Sequence, residues 1–306
     1  MIHLSTDQMK TKLCNQIGFG TVQLGMPYGP ENEPPPNELE SLTLLRNAYD
    51  MGIDFFDTAP DYGSAEYLVG KAFKDYKTRP LIATKISLPQ STNLLEIKQH
   101  ILNQIETSRR QLYSETLPIV FLHSIVGDIF HPPLLDILDE LNQRGVVESW
   151  GVTTYGFCAP LRALEFPNIF TTIQIPFNVV NRTILSVLLA HPNSFNFTFV
   201  VRSIFLQGLL TGKYQLTSDQ FTPLEPTFDS LKRLADDAYL SLTELCIRYA
   251  AYKTGVGTAL FGTQSLSELL KNFNNYTKGP LNNDIIEVID DILVERVDLL
   301  DPRNWL

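Results

Sequence analysis

The chain has 306 residues, 44% of them hydrophobic, enough to bury a full core as one large α/β domain or two smaller ones. Acidic residues number 34 against 24 basic ones, and the net charge of −10 argues against nucleic acid and anionic membranes as partners. Three scattered cysteines (Cys14, Cys158, Cys246) without C-x-x-C suit structural thiols in a reducing compartment, and the five histidines form no metal-ligand cluster.

Met1–Asp7 lacks a basic segment leading into an apolar run, and no apolar stretch nears the ~20 residues that span a bilayer, so a cytoplasmic protein is expected. Gln16–Thr21 reads as a strand leaving for a long loop that runs through Leu24–Pro30 and Pro34-Pro35-Pro36. Asn37, with Glu40 three positions on, predicts a capping box opening a helix, and Gly52 its stop. Strand Ile53–Asp57 and helix Ala65–Phe73 follow, then strand Leu81–Lys85. Ile97, Ile101 and Ile105 at i, i+4 and i+8 mark a helix over about Thr92–Leu112. Strand Pro118–His123, helix Leu134–Leu141, strand Val146–Val152 and a short helix opened by Pro160 come next. Then come strand Thr172–Ile175, helix Thr183–Ala190 and strand Phe197–Val201, with a proline-marked loop over Gly212–Asp229. Helices at Leu231–Tyr239 and Leu242–Tyr252, a last strand at Thr258–Phe261, a helix from Ser265 and a final helix at Asp284–Val297 complete the chain.

Roughly eight strand–helix units without a linker predict a single α/β domain over residues 1–306, a (β/α)8 TIM barrel with long loops at its C-terminal mouth. A doubly wound sheet is the competing fold, but the dinucleotide fingerprint G-x-G-x-x-G is missing: Gly18-Phe19-Gly20-Thr21-Val22-Gln23 ends in glutamine.

In a barrel the C-terminal strand ends share one mouth. Those ends carry Asp57 with Tyr62 just beyond, Lys85, His123, Thr153-Thr154, Gln174, Arg202-Ser203 and Gly262-Thr263-Gln264. Acid, phenol, amine and imidazole on three successive strands make a proton-donor set. A lysine cation stabilises phenolate and so lowers a phenol's pKa; Asp57 would hold Lys85 charged and in place; His123 could hydrogen-bond the same carbonyl oxygen. No side chain donates hydride, so carbonyl reduction here implies a nicotinamide cofactor.

The chain resembles the aldo-keto reductase superfamily along essentially its whole length. The carriers are Phe55-Phe56-Asp57-Thr58-Ala59-Pro60-Asp61-Tyr62-Gly63 with Glu66 and Gly70, Ala83-Thr84-Lys85, Phe121-Leu122-His123-Ser124 and Trp150-Gly151-Val152-Thr153. Further on stand Gln174-Ile175-Pro176-Phe177-Asn178, Gly208-Leu209-Leu210-Thr211-Gly212-Lys213 and Phe261-Gly262-Thr263-Gln264-Ser265 to Asn272. Gly20–Gly29 and Val201–Gly208 look like a bacterial branch associated with sugar or polysaccharide metabolism.

The resemblance implies NAD(P)H-dependent reduction of an aldehyde or ketone by a monomer or weak homo-oligomer. Tyr62 would be the general acid, Lys85 and Asp57 its tuning pair, and His123 the group orienting the carbonyl. At the nicotinamide, Thr153 matches the family's serine and Gln174 its glutamine, Thr154 replaces its asparagine, and Arg202 falls at its stacking aromatic. Gly20, Thr21, Ser203, Leu206, Gly208, Gly262, Thr263 and Asn272 complete the implied cofactor contacts. Gln264 and Glu268 stand where relatives that prefer NADP carry arginines, with Lys271 one turn on. A carboxylate suits a free ribose 2′-hydroxyl, so NAD is expected to serve at least as well as NADP. Tyr28, Met26, Phe177, Tyr155 and Phe205 are rim candidates, Asp61 is expected to be solvated, and Asp301–Leu306 either covers the mouth or docks on outer helices. Two other functions fit a barrel of this kind: a Schiff-base aldolase or isomerase using Lys85, and a catalytically silent cofactor-binding regulator.

Overall fold

The computed structural model describes residues 13, 16–123, 130–212 and 219–305; Cys14, Ser124, Lys213 and the N-terminal segment read above lie outside the described residues. Strand β1 (Gln16–Gly20) leads into a single helical turn, α1 (Val22–Gly25), and then the long loop. Helix α2 (Glu38–Asp50) starts as its capping box dictates: the Asn37 side chain accepts from the Glu40 N–H and the Glu40 carboxylate accepts from the Asn37 N–H. The alternation continues through β2 (Phe55–Asp57), α3 (Ala65–Phe73), β3 (Leu81–Ile86), α4 (Leu94–Gln111), β4 (Leu117–His123) and α5 (Pro132–Gln143). It runs on through β5 (Val147–Thr153), α6 (Cys158–Ala163), β6 (Phe170–Pro176), α7 (Thr183–Leu189) and β7 (Thr198–Arg202). Helices α8 (Glu225–Asp237) and α9 (Leu242–Tyr252) precede β8 (Val256–Phe261), which α10 (Leu266–Thr277) and α11 (Asn283–Asp291) follow.

The parallel strands pair in chain order and close into a barrel where β1 meets β8, from Gln16↔Thr258 to Phe19↔Phe261. The expected (β/α)8 architecture is the one observed. Register matters more for the site than strand count. Asp57 pairs with Ala83, Lys85 with Phe121, His123 with Thr153, and Thr153 with Gln174, so the polar ends gather at one rim. Strand periodicity points alternate side chains inward: Phe55, Leu81, Ala83, Ile119, Phe121, Val200 and Leu260 fill the barrel, with Leu13 in the same cluster. A larger apolar layer, including Ile97, Ile101 and Ile105 of α4, joins the sheet to the helices.

Two helices depart from the expected bounds by more than a turn. The prolines around residue 225 read as loop, yet α8 opens at Glu225 with Pro226 in its first turn, where the missing N–H costs nothing. Helix α11 stops at Asp291, short of Val297. Arg182 donates to the carbonyl of Ile292 and Thr227 to that of Leu293, drawing both away from helical partners. Beyond it, 3-10 turns at Val297–Leu300 and Pro302–Asn304 form the tail. Trp305 packs edge-on against Phe221 at 5.1 Å and donates from Nε1 to the Leu299 carbonyl. Among the described residues no helix is long and apolar enough to cross a membrane.

Candidate active site

The register brings four strand ends into one hydrogen-bonded chain. Lys85 Nζ donates to Asp57 Oδ2 at 2.7 Å and to the Thr58 carbonyl at 2.9 Å. The other Asp57 oxygen accepts from Gln174 Nε2 at 2.7 Å, and Gln174 Oε1 accepts from Thr153 Oγ1 at 2.7 Å. All four side chains are buried. Burying an ion pair is favourable only when the remaining lone pairs are satisfied, and here Gln174 satisfies the second carboxylate oxygen.

Tyr62 is brought over this pair by the loop after β2. The Lys85 ammonium lies 4.7 Å from the centre of the Tyr62 ring, and no hydrogen bond joins Nζ to the phenol oxygen. The loop is fixed by a close backbone approach: the Ser64 N–H donates to the Gly25 carbonyl, and Gly63 takes a left-handed φ of 58° against that turn. His123 Nδ1 lies 3.8 Å from Asp61 Oδ2. Asp61 is exposed, as expected, but it is also the carboxylate nearest the imidazole, a placement no spacing rule signalled.

Burial, with Lys85 and Arg202 adding to it, pushes the His123 imidazole down to about 4, so it is neutral at pH 7. Burial, then the Asp57 charge, pushes the Tyr62 phenol above the ordinary phenol range, and Arg202 opposes them. The net shift is upward, against the lowering expected from the lysine. Lys85 is directed at Asp57 and the Thr58 carbonyl, and desolvation of Tyr62 dominates. Burial also lowers the Lys85 ammonium, against the opposing pull of Asp57.

A cavity of about 530 Å3 opens above these groups. Its lining includes Asp57, Tyr62, Lys85 and His123 together with Gly20, Thr21, Thr153, Arg202, Ser203, Gly208, Gly262, Gln264, Glu268, Lys271 and Asn272. Four expected cofactor contacts are not on this wall. Gln174 is closed off because both ends of its amide are engaged in the Asp57 chain. Thr154 is buried with its hydroxyl donating to the Tyr155 carbonyl, and Leu206 is fully buried beneath its own turn. Thr263 is buried and donates to Glu268 Oε2 at 2.6 Å. Gln264 does reach the wall, but its Nε2 donates to the carbonyls of Gln23 and Pro34 at 3.2 and 3.0 Å, pinning the β1 loop across the cleft. Gln23, Glu33 and Gln207 line the cavity without having been singled out from the sequence; the triple proline that ends the loop was the available signal for Glu33. Of the rim candidates, Tyr28, Tyr155 and Phe205 line it. Phe177 is core, stacked on Tyr249 at 5.7 Å, and Met26 is exposed away from the cavity wall.

The wall fits a dinucleotide. It runs from the reacting groups past the turn after β7 to the start of α10, a helix N-terminus that favours anionic groups. In that turn Ser203, Leu206, Gln207 and Gly208 all take left-handed φ, between 46° and 97°. Such runs form backbone concavities suited to phosphate, and left-handed non-glycine residues persist where function over-determines them. The floor is narrow, since a Cβ on Gly262 would lie 2.9 Å from the Gly20 carbonyl oxygen.

The aldo/keto reductase family model matches residues 16–294. Aldo-keto reductase YhdN of Bacillus subtilis is 27% identical, over 92% of this chain and 90% of its own. D-arabinose 1-dehydrogenase of Saccharomyces cerevisiae is 23% identical, over 97% and 93%. Among solved structures, aldo-keto reductase AKR11C1 of Bacillus halodurans superposes with a TM-score of 0.74 at 21% identity, over 90% of this chain and 91% of the other, a likeness of fold. With strand order, rim and family match in agreement, the chain belongs to the aldo/keto reductase family.

Proposed function

We propose that the protein reduces an aldehyde or ketone to an alcohol with a nicotinamide cofactor, and that Tyr62 delivers the proton. The observation that carries this is the buried Lys85–Asp57 pair under the Tyr62 ring, with His123 on the same cavity wall. When bound, a reduced nicotinamide supplies hydride to the carbonyl carbon. Tyr62 and His123 hold the carbonyl oxygen. Tyr62 is protonated at neutral pH, and its proton goes to that oxygen. The phenolate left behind is stabilised by the Lys85 ammonium over its ring. Asp57 fixes Lys85, and the Thr153–Gln174 chain fixes Asp57.

Two features of the site support NAD serving at least as well as NADP. Glu268 is anchored by Thr263 where a 2′-phosphate would meet a carboxylate, and both N–H groups of the Gln264 amide are already committed to the β1 loop. The D-arabinose dehydrogenase likeness supports a sugar or sugar-derived substrate. The Schiff-base reading is disfavoured because the 2.7 Å ion pair with Asp57 favours the charged form of Lys85, which is not nucleophilic.

One experiment tests the acid and the cofactor together. NADH and NADPH are titrated by fluorescence into the wild type and Tyr62→Phe, and carbonyl reduction is followed in both. Tyr62→Phe should keep its cofactor affinity and lose at least ~100-fold in kcat. Full activity in that variant would overturn the assigned acid, and a wild-type preference for NADPH above about tenfold the assigned cofactor.

A further inference from the structure

Arg202 ends β7 on the wall of the cavity that holds the reacting groups, and among the described residues no carboxylate forms an ion pair with it. Among the described residues its guanidinium donates to neutral acceptors, Ser203 Oγ and the Thr154 carbonyl, both at 3.3 Å. Asp301 is within electrostatic reach but grips Arg303 instead, through Nε and Nη2. Guanidinium carries five donors in a planar fork matched to a carboxylate or phosphate. A half-buried cation with no carboxylate in direct contact is costly, and an anion entering the cavity would relieve that cost.

Its place next to the chemistry is fixed by its neighbours. The Arg202 charge acts on Tyr28, Tyr62, Lys85 and His123. Its central carbon lies 4.2 Å from the centre of the Tyr155 ring, and Arg303 lies 4.2 Å from the same ring. With Tyr155 covering one side of the guanidinium, its edge donors remain for an in-plane acceptor. Arg303 is therefore a positioning residue: the tail holds Tyr155, and Tyr155 holds Arg202.

We propose that Arg202 recognises an anionic substituent of the substrate, so that the preferred substrates are aldehydes or ketones bearing a carboxylate or phosphate near the reacting carbonyl. This rests on the reductase reading and names its substrate class.

The test compares charged and neutral partners: succinic semialdehyde against butanal, and D-glyceraldehyde 3-phosphate against D-glyceraldehyde. In the wild type kcat/KM should favour the charged member of at least one pair by about tenfold or more, chiefly through KM. Which pair shows the larger ratio separates carboxylate from phosphate. Arg202→Met should bring that ratio to about one, Arg202→Lys should retain part of it, and Arg303→Ala should lower it. If Arg202→Met does not fold, the lysine variant carries the comparison. Calorimetric titration of succinate, which has no carbonyl to reduce, should show binding to the wild type weakened about tenfold or more in the variant.

A wild-type ratio near one in both pairs, or a ratio unchanged by Arg202→Met, overturns the proposal. So does a variant that loses NADH affinity while still binding succinate, since the anion served would then be the cofactor's own. If the wild type reduces none of the four carbonyls, the reductase reading fails, and the succinate titration alone decides on Arg202.

Discussion

His123 is buried enough at the barrel rim to lose its ordinary titration, and that has a sign that can be measured. Its folded pKa of about 4 lies below the ordinary imidazole value of roughly 6.5. Between those limits the unfolded chain binds a proton that the folded chain does not, so stability rises with pH across that window. Lys85 and Arg202 face the ring and deepen the effect, while Asp61 and Asp57 oppose it. His123→Gln removes the group, so the variant's melting temperature should climb less steeply than the wild type's between pH 4.5 and 6.5. The full difference at the acid end is up to roughly 3 kcal/mol. Identical slopes in the two proteins would mean that the imidazole is not desolvated. The residue itself was readable from the sequence, because a strand end names its inward side chain. Its depressed pKa was not, because that depends first on burial in the assembled rim and then on two cations that arrive from β3 and β7.

At the scale of elements, the loop carrying Tyr62 is set by backbone contact with α1. A Cβ on Gly25 would lie 1.8 Å from the Tyr62 carbonyl oxygen, so the two turns can touch only if Gly25 has no side chain. Gly25→Ala must push the loop outward and carry the phenol off the Lys85–Asp57 pair. A misplacement of that kind should lower kcat by at least ~10-fold, with cofactor affinity retained because Gly20 and Gly262 stay in place. Unchanged kcat would show that the loop can absorb the methyl group. The same scale marks where sequence reading stopped. The Asn37–Glu40 capping box and the Ser265 cap are local, so the starts of α2 and α10 were readable. The end of α11 is decided by Arg182, 110 positions away, and the pinning of the β1 loop by Gln264, 230 positions beyond Pro34. Neither pattern leaves a periodic trace.

Across the whole molecule, eight strands of inward and outward alternation determine both the apolar filling and the polar rim. Asp57, Lys85 and His123 are each the last inward position of a strand whose earlier inward positions are apolar. That is why the architecture and the placement of Asp57, Lys85 and His123 could be read together, whereas the burial of Gln174 could not: it needed the Asp57 partner 117 positions away. Phe121 tests how far filling and rim are separable. It is fully buried in the barrel, two residues before His123 on the same strand face, and its ring packs so closely on Gly151 that a Cβ there would lie 2.6 Å away. Phe121→Ala should open a cavity that the closed barrel cannot collapse, costing ~3–5 kcal/mol, whereas Phe121→Leu should cost less. Cofactor affinity in the alanine variant should stay near the wild-type value, since the groups assigned to the cofactor lie mainly in the turns after β7 and β8 and on α10. Urea unfolding gives the first quantity and fluorescence titration the second. A loss below ~1 kcal/mol would mean that the interior is not close-packed at this layer. A matching collapse of cofactor affinity would mean that the rim depends on the filling beneath it and is not held by strand register alone.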